Sequence, residues 1–298
     1  MSCAAFLRHQ LKRAFGVGGG IALERRVPPI AHELQQLDEV GLYLHIPFCR
    51  QICPYCPYNK QLYDPDLAKR YARAVMGKVD MYAARLGDKP VTSFYIGGGT
   101  PTTMLDNGLP EILAHIYRSF NMRCDIHMES HPHDLSEANI DTLLALGVKH
   151  LSTGVEAVQD HHLQTLHRPY TAAQARAAVG RAVGRGFQCV NADLIFALPG
   201  QTCEEVAEAG RTLLELGVDQ VAAYPLFRFP YTQWQQLYGN GNGFNLFQKR
   251  KMLHVLERTF YGAGFTRTSV WAFTRAGVPK YCSVTIPLYI GLGASGGT

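Results

Sequence analysis

Residues 43–60 read YLHIPFCRQICPYCPYNK, which places Cys49, Cys53 and Cys56 in a Cys-x3-Cys-x2-Cys pattern. Thiolates are soft ligands that suit iron–sulfur clusters. Three of them on one short loop can hold three irons of a cubane [4Fe–4S] cluster and leave the fourth iron without a protein ligand. An open coordination position on a metal centre is typical of chemistry rather than of structural support. The loop therefore predicts a reactive iron–sulfur centre.

Two other interpretations of these cysteines compete with the cluster. A histidine such as His45 could complete a four-coordinate zinc site, although structural zinc sites usually pair two short knuckles and the chain has no second Cys-x2-Cys. A disulfide framework is the second alternative. However, 8 cysteines scattered over 298 residues without a secretory signal are typical of a reducing compartment. We therefore predict a cytoplasmic location.

The composition is that of an enzyme-sized α/β protein. With 298 residues, 47% of them hydrophobic, the chain can bury a large core as one domain of α/β-barrel size. It has no run of about 18 apolar residues, so we expect no membrane span. The formal net charge is only +5, and the basic residues are spread along predicted helices, which argues against a nucleic-acid partner. We expect a small-molecule substrate.

From residue 41 onward, short β-rich runs alternate with longer helical patterns, which is typical of βα units around a parallel sheet. Six such repeats predict a partial (β/α)6 barrel, about three quarters of an eight-fold barrel. The predicted strands are 42–46, 91–96, 125–129, 150–155, 188–195 and 220–226. The predicted helices between them are 66–86, 108–120, 136–146, 172–186 and 203–216. A last helix, 244–261, and a β-rich tail from Phe265 follow.

Polar residues and glycines stand where the predicted strands end, which is where parallel α/β folds gather their functional groups. Residues 97–99 are three glycines that either form a tight turn or let backbone groups contact a polar ligand. Glu129 is either solvated or accepts from a hydroxyl or ammonium group. Arg168 is either a surface charge or a carboxylate clamp. Asp193 lies in an apolar run, where burial of a lone carboxylate is costly, so it needs a ligand or an internal salt bridge.

Six ordered motifs resemble the radical S-adenosylmethionine (SAM) superfamily and, within it, the oxygen-independent coproporphyrinogen III oxidase (HemN)-like family. That family also includes HemW-type heme chaperones and class C methyltransferases and cyclopropanating enzymes. The motifs are HIPFC at 45–49, GGGTPT at 97–102, GVKHLS at 147–152, DLI at 193–195, LPGQT at 198–202 and GLGA at 291–294. The resemblance covers residues 41–296.

This resemblance implies a mechanism and a set of cofactor contacts. The open iron would bind the amino and carboxylate groups of SAM, and one electron would cleave SAM to methionine and a 5′-deoxyadenosyl radical. One or two SAM molecules, a tetrapyrrole substrate of porphyrin or heme metabolism, and an electron donor such as flavodoxin or ferredoxin are also implied. Arg168 and Asp193 would lie near the second SAM rather than the first, and neither residue belongs to the cluster loop, so neither should be needed for iron incorporation. The implied SAM contacts are Tyr43, Tyr55, Gly98, Gly99, Thr100, Glu129, Glu156, Arg168 and Asp193.

The chain departs from the family pattern at several positions. Tyr58 stands where the oxidase has a fourth cysteine, and Glu156 replaces the usual glutamine. Residues 224–231, YPLFRFPY, differ from the oxidase and the chaperone and look more like the methyl- or methylene-transfer members. Three functions therefore stay open. They are oxidation of the coproporphyrinogen type, radical transfer of a one-carbon unit to another small molecule, and heme binding by a non-catalytic chaperone.

The predicted domain organisation has three segments. Residues 1–40 form an N-terminal extension, which begins as a basic stretch and reaches three glycines at 18–20. A helix followed by a flexible linker is the expected structure, with an organelle transit peptide as the alternative. Residues 41–230 form the radical SAM core. Residues 231–298 extend the core and stop where family members begin an accessory domain.

Overall fold

Short strands alternate with helices along the chain, as the sequence predicts. The computed structural model describes residues 36–239, 245–281, 288–294 and 296. Its strands are β1 (Val40–Ile46), β2 (Phe48–Cys49), β3 (Gln61–Leu62), β4 (Pro90–Gly98), β5 (Asn121–Met122), β6 (Ile126–Ser130), β7 (Val148–Glu156), β8 (Cys189–Phe196), β9 (Gln220–Pro225), β10 (Phe265–Arg267), β11 (Ala272–Arg275) and β12 (Tyr289–Leu292). Its helices are α1 (Pro65–Leu86), α2 (Leu109–Ser119), α3 (Glu137–Ala145), α4 (Asp160–Thr165), α5 (Ala172–Ala182), α6 (Cys203–Glu215), α7 (Gln233–Tyr238) and α8 (Leu246–Gly262).

The six predicted strands are parallel neighbours in one sheet. They are β1, β4, β6, β7, β8 and β9, in that spatial order. An antiparallel pair, β10 and β11, continues the sheet beyond β9, and β12 continues it beyond β1. Among the described residues β10 and β12 do not pair with each other, so the sheet is open, as expected for a partial barrel.

β12 covers the outer edge of β1. It pairs with β1 in parallel, with Gly41 opposite Tyr289 and Leu44 opposite Leu292. The sequence predicts β structure in this tail but not its partner. The pairing buries β1 between two strands immediately before the cysteine loop, and six of the seven residues of β1 are buried.

The helix boundaries follow from local capping signals. Asp64 caps α1 by accepting from the N–H of Leu67, and Gly87 ends the helix with a φ of +61°. Capping boxes begin α5 at Thr171 and α6 at Thr202. The prediction that the fourth helix reaches residue 186 is wrong, because Val183 is extended and α5 ends at Ala182.

The core lies between the sheet and the outer helices. Phe196, Trp234, Phe260 and Phe273 are among its largest fully buried side chains. Residues from Asp38 onward form one compact unit. The division at residue 230 stays a prediction, although β11 and β12 from the later segment pair into the same sheet. Most of the predicted extension 1–40 lies outside the described residues.

Among the helices that the structure describes, none combines the length and the apolar character that crossing a bilayer requires.

Candidate functional site

The carboxyl ends of the parallel strands surround a cavity of about 620 Å³. Eleven of the twelve site residues predicted from the sequence line it, and Tyr43 does not. The hydroxyl of Tyr43 lies 2.8 Å from Nδ1 of His45, and its ring stacks on Tyr95. The lining residues among the predictions are Cys49, Cys53, Cys56, Tyr55, Gly98, Gly99, Thr100, Glu129, Glu156, Arg168 and Asp193.

Backbone pairing fixes both ends of the cysteine loop. β2, which contains Cys49, pairs with β3, so the chain returns beside its own start. Inside the loop the N–H of Cys56 donates to the carbonyl of Cys53 at 3.2 Å. The N–H of Trp234 donates to the carbonyl of Pro54 at 2.9 Å, which attaches the loop to α7. The three thiols are thus held in place by the fold rather than by a bound metal alone.

The sulfur positions fit a multi-iron cluster better than a single zinc ion. The three sulfur atoms do not all lie within 4.8 Å of one another. Zinc–sulfur bonds of about 2.3 Å would bring tetrahedral ligands to within about 4 Å of each other. Both ring nitrogens of His45 are already engaged, Nδ1 by Tyr43 and Nε2 by the carbonyl of Asn59 at 2.9 Å. All six described cysteines are free thiols, while Cys3 and Cys282 lie outside the described residues.

Burial suppresses ionisation of the Cys49 and Cys56 thiols when no metal is bound. It raises the pKa of Cys49 to about 11, partly offset by a hydrogen bond from Thr100, and it also raises the pKa of Cys56. Only thiolates bind iron, so cluster binding must displace these protons. A cationic metal centre in the loop would compensate the charge of the buried thiolates.

The glycine turn packs against the cysteine loop. The N–H of Gly99 donates to the carbonyl of Ile46 at 2.7 Å, and the N–H of Thr100 donates to the carbonyl of Phe48 at 2.7 Å. A Cβ on Gly99 would lie 2.7 Å from the carbonyl oxygen of Phe48. Gly98 has a φ of +120°, and a Cβ there would lie 2.8 Å from the ring of His45. The tight turn alone therefore explains both glycines, and contact of this turn with SAM stays a prediction.

Glu129 is held at the end of β6 by two hydrogen bonds. Its Oε1 accepts from the Tyr95 hydroxyl at 2.5 Å, and its Oε2 accepts from the N–H of Gly98 at 3.0 Å. Burial raises the pKa of Glu129, while these two hydrogen bonds oppose the rise and the charge of Glu156 adds to it. The alternative of a solvated strand terminus is wrong. Glu129 is a fixed acceptor inside the cavity.

Arg168 connects β7 to the cysteine loop. Its Nη1 donates to Sγ of Cys53 at 3.1 Å, and its Nη2 donates to the carbonyl of Gly154 at 3.1 Å. Its Nη1 also lies 4.0 Å from Oε1 of Glu156, a residue with a φ of +66°. The side chain of Arg168 is only 7% exposed, so the surface-charge alternative is wrong.

Asp193 lines the cavity from β8, held by hydrogen bonds to neighbouring polar side chains. Its Oδ2 accepts from the Ser152 hydroxyl at 3.0 Å, and its Oδ1 accepts from the Asn191 amide at 2.9 Å. Within the described part of the chain it forms no ion pair. Burial, with the charges of Glu156 and Glu129, raises the pKa of Asp193 to about 8. The internal salt bridge considered from the sequence is thus absent from the described residues.

A chain of polar side chains, which the sequence analysis missed, continues from Asp193 across the sheet. The amide of Asn191 donates to Oγ of Ser152 at 2.7 Å, and the amide of Gln220 donates to Oδ1 of Asn191 at 3.1 Å. Gln220 also accepts from the N–H of Tyr281 at 3.0 Å, and the Tyr281 hydroxyl donates to that of Tyr95 at 2.8 Å. The sequence does contain one signal for this chain of side chains, because Ser152, Asn191 and Gln220 are polar residues within predicted strands of the sheet, β7, β8 and β9. Together these side chains link Asp193 to Glu129.

Aromatic side chains also line the cavity. Tyr224, Phe227, Phe229 and Trp271 line it, and the ring centroids of Phe227 and Trp271 are 6.0 Å apart. Phe227 is 44% exposed and Tyr224 is 40% exposed. Three of these residues belong to the 224–231 stretch that departs from the family pattern. The lining of the cavity therefore combines buried carboxylates with apolar, aromatic side chains.

Comparison with known proteins gives relatives of two kinds. The chain is 29% identical over 261 residues to the heme chaperone HemW of Bacillus subtilis, covering 85% of this chain and 69% of that protein. It is 32% identical over 194 residues to HemW of Mycobacterium tuberculosis, covering 62% of this chain and 49% of that protein. It is 29% identical over 202 residues to the oxygen-independent coproporphyrinogen III oxidase of Paracoccus denitrificans, covering 66% of this chain and 45% of that protein. The chain thus spans only about half the length of the last two relatives.

A solved structure and a family model agree with these relatives. Coproporphyrinogen III oxidase (HemN) from Escherichia coli superposes with a TM-score of 0.78 at 24% identity, covering 83% of this chain and 58% of that chain. This likeness confirms the predicted α/β fold with a central parallel sheet. Residues 43–213 match the family model of the radical SAM superfamily, from the start of the cysteine stretch into α6. The chain therefore belongs to the radical SAM superfamily, whose members use a [4Fe–4S] cluster and SAM.

Proposed function

We propose that this chain is a radical SAM enzyme that acts on a tetrapyrrole, with a reaction of the oxygen-independent coproporphyrinogen III oxidase type. One observation carries the proposal. The three loop cysteines and the three carboxylates of Glu129, Glu156 and Asp193 line the same cavity. Thiols and carboxylates are the donors that an iron–sulfur cluster and a cationic cofactor require.

Cys49, Cys53 and Cys56 would hold the cluster. When bound, it supplies the electron that splits the C5′–S bond of SAM into methionine and a 5′-deoxyadenosyl radical. Arg168 would donate a hydrogen bond to the Cys53 thiolate, since its Nη1 already lies 3.1 Å from that sulfur. Thr100 would support Cys49, because its hydroxyl lies 3.6 Å from that sulfur.

The charges in the cavity fit SAM, which carries a sulfonium, an ammonium and a carboxylate. Glu129, next to the glycine turn and the cysteine loop, is the acceptor we propose for the first SAM. Asp193 and Glu156 lie on neighbouring strands β8 and β7, and we propose them as acceptors for a second SAM. The raised pKa values of all three carboxylates support this proposal, because a bound cation would relieve their burial and mutual repulsion.

The aromatic side chains that line the cavity favour a flat, largely apolar substrate. Phe227 and Trp271 lie edge to face and could pack against a ring system. A tetrapyrrole with acidic substituents would also find Arg50 and Lys60 among the lining residues. The electron donor, flavodoxin or ferredoxin, and the cytoplasmic location remain parts of this proposal.

Two alternatives keep specific support. Heme binding by a non-catalytic chaperone is favoured by the relatives named HemW, one of which covers 85% of this chain. Transfer of a one-carbon unit is favoured by residues 224–231, which line the cavity with Tyr224, Phe227 and Phe229. Each alternative predicts a different set of products from the same cavity.

The test is an anaerobic assay of the full chain after reconstitution with iron and sulfide. The protein is given SAM, dithionite and coproporphyrinogen III. Methionine, 5′-deoxyadenosine and decarboxylated porphyrinogen together would support the oxidase. S-adenosylhomocysteine in addition to 5′-deoxyadenosine would indicate one-carbon transfer instead. Tight heme binding without either SAM product would contradict an enzymatic function and indicate a chaperone.

A further inference from the structure

A second group of potential metal ligands lies outside the cavity, where α4 meets the start of α6. Nε2 of His161 is 3.0 Å from Oε1 of Glu205, and Nε2 of His162 is 3.4 Å from the same oxygen. One ligand atom from each of the three residues lies within 4.8 Å of the others. None of the three residues lines the cavity described above.

His162 has unsatisfied ring nitrogens. Its side chain is only 2% exposed, and neither ring nitrogen makes a hydrogen bond within the part of the chain that the structure describes. Nε2 faces Glu205 at 3.4 Å without the alignment of a hydrogen bond. Burying a polar atom without a partner costs free energy, so such an atom points to a missing ligand.

Glu205 is fixed in the orientation that a ligand needs. Its Oε2 accepts from the N–H of Thr202 at 2.7 Å and from the Thr202 hydroxyl at 2.9 Å, as part of the capping box of α6. This leaves Oε1 directed toward both imidazoles. The capping box therefore pre-orients one carboxylate oxygen between two histidine nitrogens.

We propose that His161, His162 and Glu205 bind one divalent transition-metal ion of the zinc type. Metal–ligand bonds of about 2.0–2.2 Å in a tetrahedron place neighbouring ligand atoms about 3.3–3.6 Å apart. Nε2 of His161 and Nε2 of His162 lie 3.0 Å and 3.4 Å from the Glu205 oxygen, close to this range. Two imidazoles and one carboxylate are a donor set that zinc and related ions accept. His161 is 62% exposed, so water can reach the remaining coordination position.

The ion would tie together two segments that border the cavity. α4 lies in the segment between Glu156 and Arg168, two of the lining residues. α6 follows β8, which contributes Asp193 to the lining. Binding of the ion to the folded protein alone would stabilise it by mass action. This site is independent of the proposed reaction and does not require SAM cleavage.

The test uses the full chain with its cluster reconstituted anaerobically and excess iron removed. After equilibrium dialysis against zinc chloride, zinc and iron per chain are counted separately by mass spectrometry. We expect one zinc per chain in the wild type, and His161→Gln to weaken zinc binding at least about tenfold with the iron content unchanged. His161 is exposed, so this variant should fold normally. Glu205→Gln, which keeps a capping side chain, should weaken zinc binding similarly.

His254→Gln is the matched control. His254 is also exposed, and its Nδ1 lies 3.5 Å from a glutamate, Glu257. Among the described residues this pair belongs to no group of three potential metal ligands. His254→Gln should leave zinc binding unchanged. The melting temperature should rise with zinc in the wild type and in His254→Gln but not in His161→Gln. Equal zinc affinity in wild type and His161→Gln would overturn the proposal. An equal loss of affinity in His254→Gln would also overturn it.

Discussion

At the scale of single residues, Arg168 has the most direct influence on the proposed cluster. Its guanidinium donates to Cys53, Gly154 and, through Nε at 2.8 Å, to the hydroxyl of Tyr170. A planar group with several donors makes these contacts together, and a single ammonium could not. A hydrogen bond and a positive charge at a cluster sulfur stabilise the reduced cluster, because reduction adds negative charge.

Arg168→Gln should therefore make the cluster harder to reduce. We expect the midpoint potential to fall by about 60 mV, which is a tenfold change in a one-electron equilibrium. A redox titration followed by electron paramagnetic resonance measures it. Arg185→Gln is the control, because Arg185 pairs with Asp141 at the surface and neither residue lines the cavity. Identical potentials in wild type and Arg168→Gln would contradict this role.

Asp193 should make stability depend on pH. Its pKa is raised to about 8 in the folded protein, against about 3.9 in an unfolded chain. Between about pH 4 and pH 8, the Asp193 carboxyl therefore keeps its proton in the folded state and releases it in the unfolded state. The stabilising contribution of the protonated form is therefore fully present below about pH 4 and is lost as pH rises through about 8.

Asp193→Asn cannot ionise, so it should melt about 2–5 °C above wild type at pH 8.5, with a smaller difference at pH 5. Thermal melting without SAM measures this, with the exposed Asp141→Asn as control. Equilibrium dialysis should count less SAM per chain in Asp193→Asn if Asp193 binds a second SAM. A variant that is less stable than wild type at both pH values would instead indicate a lost ion pair.

Local sequence features were sufficient for some site residues and insufficient for others. The cysteines and Glu129 could be predicted because a loop spacing and a strand end are local features. Tyr281 could not, since its contacts with Tyr95 and Gln220 join segments that are distant in the sequence. The triple glycine left a tight turn and a ligand contact open, and no local pattern contains the close approach of the His45 ring, 2.8 Å from where a Cβ on Gly98 would lie.

At the scale of secondary-structure elements, β12 is the main feature that the sequence could not position. Strand propensity predicts β structure there, but the pairing with β1 depends on contacts between the two ends of the described chain. After β12, Gly293 lies against the cysteine-loop side of β1. Its φ is +86°, and a Cβ would lie 2.6 Å from the carbonyl oxygen of His45, which also accepts a hydrogen bond from Tyr71.

Gly293→Ala should therefore destabilise the protein by more than its backbone conformation alone explains. Gly277 is the matched control, with a φ of +80° and nothing within 4 Å of a Cβ. Gly277→Ala should cost about 1–2 kcal/mol through its positive φ. Gly293→Ala should cost about 1–3 kcal/mol more, because the collision forces β12 away from β1. Urea unfolding compares the two, and equal losses would contradict close packing at Gly293.

At the scale of the whole molecule, the parallel sheet brings residues from the loop after β1 and from β4, β6, β7 and β8 to one cavity. Alternating βα units predict this convergence, because parallel strands end at one edge of the sheet. Eleven predicted site residues meet there for that reason. The pairs they form, such as Arg168 with Cys53, depend on side-chain packing and could not be predicted.

The central claim is that Cys49, Cys53 and Cys56 hold a [4Fe–4S] cluster that cleaves SAM. The most direct test compares Cys53→Ala with Cys124→Ala, a free thiol that does not line the cavity, after anaerobic reconstitution. Wild type and Cys124→Ala should each bind about four irons per chain and form 5′-deoxyadenosine from SAM and dithionite. Cys53→Ala should form none, and undiminished iron content and SAM cleavage in Cys53→Ala would contradict the account.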